Sequence, residues 1–148
     1  AVFGSIWVLF SLDIHVWRPN LQTLEEVEVM VDEHTFLAEV AETPVARARG
    51  LSGEAYLEEG HGMLFLFGSS EAQGFWMKGM RFPIDIVWVR DGKVIGFEED
   101  VPVPAISISE SELPVYFSPG AVDAVLEIPA GTVRELGIRA GDKFDVAI

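Results

Sequence analysis

Lys78 and Asp85 stand on either side of a turn signal at Pro83, and side chains of opposite charge at that separation can meet across a short loop. Arg47, Glu127 and the indole of Trp76 are the natural companions for such a pair. Together they predict a charged cleft that binds a small polar ligand, with the groups shifting one another's pKa values. The more economical reading of the same pair is a structural ion pair that holds the Met80 to Pro83 loop. No neighbour supplies a nucleophile with a base, so binding rather than catalysis is expected.

Other chemistry-bearing residues are less suggestive. His15, His34 and His61 fall in three different contexts without metal-ligand spacing, so no zinc site is expected. Ser107, Ser109, Ser111 and Ser118 sit in a Ser- and Pro-rich stretch, and none occupies a Gly-x-Ser-x-Gly elbow. The Glu98-Glu99-Asp100 run matches no calcium-loop spacing and reads as a solvated strand end. Met63, Met77 and Met80, close to Trp76, read as core packing. There is no cysteine, which excludes a disulfide framework and a thiolate site, and no cofactor is expected.

Composition narrows the partners. Ten Lys and Arg against 24 Asp and Glu give a formal charge of −14, which argues against phosphate backbones and anionic membrane surfaces. Mean hydropathy is nevertheless +0.29, so much apolar surface must be buried. At 148 residues the chain fits one domain with a core of its own.

Short alternating runs between turn signals predict a mainly β fold, a single antiparallel β-sandwich or barrel-like domain over residues 21–148. Strands are expected at Val27–Val31, Thr35–Val40, Met63–Phe67, Gly74–Met77, Ile84–Arg90, Lys93–Glu99, Ala124–Ile128 and Lys143–Ile148. Asp91-Gly92 predicts a two-residue type I′ hairpin, because both central residues there take positive φ. Two short helices are expected. One has Thr43 as N-cap and Pro44 at its first position; the other is opened by a Thr132 and Glu135 capping box and stopped by Gly137. The four prolines between Val101 and Gly120 predict a long surface connection with an edge strand at Ile106–Ser109.

Residues 1–20 form an apolar arm and linker. There is no Lys or Arg before Arg18, which argues against a signal peptide, and the stretch before Asp13 would reach only about 18 Å as a helix, too short to cross a bilayer. A truncated membrane anchor remains the alternative. Val2, Ile6, Val8, Phe10, Leu12, Ile14 and Val16 recur with period two, the pattern of a strand with one buried face. Sixteen extended residues span about 53 Å, against about 35 Å for a domain of this size. Such a strand is expected either to fold back through Gly4-Ser5 or to add to the sheet of a neighbouring copy.

Several segments are familiar in combination: Val40-Ala41-Glu42-Thr43-Pro44, Arg47, Arg49-Gly50-Leu51, Gly62-Met63-Leu64-Phe65, Phe75-Trp76-Met77-Lys78, Pro83-Ile84-Asp85-Ile86, Val125-Leu126-Glu127 and Gly141-Asp142. From about Glu39 to Val146 the chain resembles the domain of unknown function 192 family. The resemblance implies a small β-rich sandwich or barrel, often exported, without an established activity. This chain departs from the usual pattern at Gly79, where Asn is usual, at Met80, where Thr is usual, and at Ser52 and Glu54, where Met and a basic residue are usual. The leading functional expectation is a non-enzymatic, extracellular or cell-surface structural subunit that self-assembles into a filament by donating its N-terminal strand. The alternative is a small-ligand-binding domain, monomeric or membrane-tethered, with Arg47, Trp76, Lys78, Asp85 and Glu127 in its pocket.

Overall fold

The Asp91-Gly92 hairpin forms with φ of 51° and 71° at its two central residues, the twist that matches the strands it joins. It links β4 (Ile84–Arg90) to β5 (Lys93–Val101) in a computed structural model that describes residues 23–147. The other strands are β1 (Glu26–Val31), β2 (His34–Ala41), β3 (His61–Trp76), β6 (Val115–Pro129) and β7 (Phe144–Ala147). Helix α1 spans Pro44–Arg49 and helix α2 spans Thr132–Leu136.

The seven strands form one sheet in the order β5-β4-β6-β3-β2-β1-β7. The sheet curls until its two ends approach. A bridge joins Lys93 to Lys143, and Val94 exchanges backbone hydrogen bonds with Gly141 and Asp142. The result is a curled half-barrel with two short helices. One cluster, with Val29, Phe36, Leu64, Val87, Val94, Leu126 and Phe144, draws from all seven strands and therefore fills the inside of the curl. Val133 and Ile138, in and just after α2, plug it. A second cluster on the other face, with Met63, Phe65, Ile86, Trp88 and Val125, lies under α1 and the Met77–Phe82 loop. β4 is buried on both faces, which is why Ile84–Val89 reads as a nearly continuous apolar run around Asp85.

Four expectations change. The sheet is not wholly antiparallel: β2 pairs with β3 in parallel, because α1 and the loop after it carry the chain back to the starting end of the sheet. The strands expected at Met63–Phe67 and Gly74–Met77 are parts of one strand, interrupted by register shifts. The edge strand expected at Ile106–Ser109 does not form: a turn closed by the Ile108 N–H on the Ala105 carbonyl lies there, a 3-10 turn follows at Glu110–Glu112, and β6 begins at Val115. Pro119 lies within that strand at a bulge, where three residues face Gln73. The Ser118 hydroxyl accepts the Gln73 N–H there at 2.9 Å and donates to the Gly120 carbonyl at 2.6 Å. Finally, Gly131 rather than Thr132 is the N-cap of α2, and the Thr132 hydroxyl donates to the Pro129 carbonyl at 2.6 Å.

Candidate functional site

Helix α1 begins as its sequence requires, with the Thr43 hydroxyl accepting the Ala46 N–H at 3.1 Å and Pro44 at the first position. It ends at Gly50, φ 50°, where a Cβ would lie 3.3 Å from the Phe65 ring. The glycine of Arg49-Gly50-Leu51 thus turns the chain tightly over the sheet. This places Arg47 over the Phe67 ring at 5.4 Å, its guanidinium donating to the carbonyls of Leu66, at 3.0 Å, and Glu42.

Opposite α1, β3 ends in Phe75-Trp76 and passes into a turn at Met77–Met80. The Lys78 ammonium sits 5.3 Å from the Trp76 ring centre and 2.8 Å from the Glu110 carboxylate, half-exposed. Gly79 holds a left-handed φ of 72°, a conformation that Asn also tolerates, which accounts for the exchange of these two residue types. A Cβ there would fall 2.0 Å from the Ser52 hydroxyl oxygen. Ser52 itself donates to the Lys78 carbonyl at 3.0 Å. Two of the departures from the family pattern, Ser52 and Gly79, are therefore packed against each other.

Between these walls lies a cavity of about 270 Å³ lined by Arg47, Arg49, Phe65, Phe67, Gln73, Phe75, Trp76, Lys78, Met80 and Glu127. Phe75 meets Phe65 edge-on at 4.9 Å, Trp88 at 5.6 Å and Phe67 at 6.5 Å, an interlocked aromatic base. Glu127 stands opposite Met63 of β3 and Ile86 of β4 in the sheet register and is 5% exposed. Among the described residues its Oε2, which is buried, has no hydrogen-bond partner, and neither has the indole nitrogen of Trp88 on the same sheet face. Burial pushes the Glu127 carboxyl up to about 8, so at neutral pH it is mostly a protonated acid with a hydrogen to donate.

Arg47, Trp76, Lys78 and Glu127 thus line one cavity. Asp85 does not join them. Its register partner is Ile128, which faces the inside of the curl, whereas Glu127 faces outward; alternation along the strands separates the two carboxyls. Fully buried, Asp85 accepts the backbone N–H of Asp100 at 2.8 Å, Gly131 at 3.1 Å and Val133 at 2.8 Å. It caps α2 from across the sheet. The ion pair expected between Lys78 and Asp85 is likewise replaced, by Lys78 with Glu110. Val2, Ile6, Val8, Phe10, Leu12, Ile14 and Val16, the positions assigned to assembly, lie outside the described residues.

A second cavity, of about 300 Å³, is lined by Glu26, Glu39, Glu54, Tyr56, Glu58 and His61 among others. Burial raises the Glu39 pKa, with Glu54 and Glu26 adding to the effect and Arg49 opposing it. Among the described residues, no group of three or more His, Cys, Asp or Glu is placed to hold a metal ion. Nor is any described helix long and apolar enough to cross a membrane.

Fold and site together define a half-barrel domain carrying an aromatic-based cavity on its outer face. The chain belongs to the DUF192 family, described as an uncharacterized ACR, whose sequence profile matches residues 27–146. That match reaches upstream of Glu39 and takes in most of β1 and all of β2. The solved structures similar to it include two crystal structures. A protein of unknown function from Novosphingobium aromaticivorans DSM 12444 is 30% identical, with a TM-score of 0.76, over 85% of this chain and 89% of that one. A protein from Sinorhizobium meliloti 1021, described as a "putative transcription regulator", is 31% identical, with a TM-score of 0.74, over 83% of this chain and 95% of that one. None of the curated proteins compared with the chain matches it.

Proposed function

We propose that this domain binds a small organic ligand in the cavity between α1 and the Trp76–Met80 segment, without transforming it. The supporting observation is Glu127, a carboxyl group buried in the cavity wall with one oxygen unpartnered. A buried polar group without a partner costs on the order of 1–3 kcal/mol, and a ligand that completes its hydrogen bonding recovers part of that. Edge-packed aromatic rings hold the apolar side of the cavity in place before any ligand arrives. A charge of −14 weighs against carrying over to this chain the nucleic-acid function that a transcription regulator would imply.

The test is a titration of the full chain with a set of small aromatic acids, amides and amines, followed by calorimetry and by shifts in the amide spectrum. Saturable binding is expected, with shifts centred on Arg47, Trp76 and Lys78. Lys78→Ala should weaken it about tenfold while moving the melting temperature little, because an exposed ion pair contributes only about 0–1 kcal/mol to stability. A response to none of the three classes sinks the proposal. A Lys78→Ala effect on stability alone returns that residue to a structural role.

A further inference from the structure

The cavity reverses the sign of the molecule around it. Basic residues number ten against 24 acidic ones in the whole chain, yet among the described residues the cavity lining holds Arg47, Arg49 and Lys78 against one carboxyl, Glu127. Resting on the ligand-binding reading above, we propose that the cavity selects small organic anions, a carboxylate on a flat apolar body, and takes each one up together with a proton held on Glu127.

Three features carry this. Arg47 from α1 and Lys78 from the turn after β3 both line the cavity, each already over an aromatic ring, Phe67 at 5.4 Å and Trp76 at 5.3 Å. Between them the cavity offers two cations, with the flat rings below suited to a planar ligand body. Arg47 directs one guanidinium nitrogen to backbone carbonyls, which fixes its position while leaving the other donors of the fork for a ligand oxygen. Among the described residues of this lining Glu127 is the one acid, and its place decides what it can do. β3 and β4 set the apolar Met63 and Ile86 beside it, while the charged groups that share its cavity are Arg47 and Arg49 from α1 and Lys78 from the loop after β3.

An ionised Glu127 would repel an anion in this space; a protonated one donates a hydrogen bond to it. With the carboxyl titrating at about 8, the protonated form predominates at neutral pH. Sites that stay neutral by burial gain a donor where a charged carboxylate has only acceptors. Arg49 is drawn toward Glu54 at 3.5 Å and Lys78 toward Glu110 at 2.8 Å, so a ligand carboxylate meets Arg47, which has no carboxylate partner among the described residues, and shares the Lys78 ammonium with Glu110. No bond of the ligand is made or broken: the anion enters unchanged, and where Glu127 is ionised its carboxylate takes a proton from a solvent hydronium ion, forming the carboxyl O–H and leaving water.

Benzoate, benzamide and benzylamine, matched in shape and differing in charge, test the idea on the full chain by calorimetry between pH 6 and 10. Benzoate should bind at least tenfold more tightly than the other two at pH 7. Its apparent dissociation constant should rise about tenfold from pH 7 to pH 9, as the Glu127 proton is lost. Glu127→Gln, which keeps a donor but cannot ionise, should hold benzoate with an affinity flat over the same range. Preference for benzylamine overturns the anion assignment while leaving ligand binding intact. Benzoate binding that is equally flat in the unaltered chain and in Glu127→Gln overturns the proton coupling. Failure of all three probes overturns the ligand-binding reading itself.

Discussion

At the scale of single residues, Glu127 contributes instability as well as a site. Its folded pKa of about 8 lies above the ordinary 4.5 because burial penalises the charged form. Below pH 4.5 native and unfolded chains both hold the proton, and between 4.5 and 8 only the native chain does. Stability therefore falls as pH rises across that window, by on the order of 4–5 kcal/mol at full extent if about 1.4 kcal/mol is lost per unit. Glu127→Gln has no such loss. Measured by urea denaturation, its stability relative to the unaltered chain should increase from pH 5 to pH 8 by several kcal/mol. The residue types of the cavity were legible in the sequence, since Arg47, Trp76, Lys78 and Glu127 all belong to it. The membership of Asp85 was misjudged because proximity along the chain to Lys78 says nothing about which face of β4 it occupies.

Elements are joined here by a side chain that looked like a ligand group. Asp85 ties β4 to the end of β5 through Asp100 and to the start of α2 through Gly131 and Val133. Helix α2 is only five residues long, and its own N-cap, Gly131, offers no side chain. Its first turn therefore depends on a carboxylate delivered from another strand. Asp85→Ala should destabilise the domain by roughly 3 kcal/mol, because the buried N–H of Val133 and the partly buried N–H groups of Asp100 and Gly131 lose their acceptor. Asp85→Asn should cost less, since its one carbonyl oxygen can still serve part of the set. Hydrogen exchange would localise the damage: protection should fall at Gly131 and Val133 before it falls in β4. Turn and cap chemistry was readable wherever it was local, as at Asp91-Gly92, Thr43-Pro44 and Gly137. It was misread at Thr132 and Pro119, where the decisive partners are 47 and 46 residues away in the chain, at Asp85 and Gln73.

For the whole molecule, the closure of the sheet bears on the arm. Among the described residues, both core clusters, with the side chains packed against them, together run from Leu24 to Val146 and draw on every strand of the sheet. A core of that extent should hold without the arm: cutting the chain before residue 21 is expected to shift the melting temperature by no more than about 4 °C, the effect of about 1 kcal/mol in a domain of this size. The same pair of proteins tests the expectation of strand donation. Light scattering that gives a larger particle for the full chain alone would establish the arm as an assembly element; equal particle sizes would end that reading. Ligand binding by the shortened chain should be unchanged if the described lining, Arg47 to Glu127, makes up the site.

The sequence by itself determined the β-rich character, the tight turn between β4 and β5, the extent and capping of α1, the stop of α2 and the family resemblance. Each rests on interactions within a few residues, where periodicity and turn chemistry act directly. Only the tertiary structure decided the parallel pairing of β2 with β3, the bulge at Pro119 that makes β6 one long strand, and the face on which each charged side chain stands. Register is a relation between strands far apart in the chain, and one step of register exchanges inside for outside. That parity put Glu127 in the cavity wall and sent Asp85 through the sheet to hold α2.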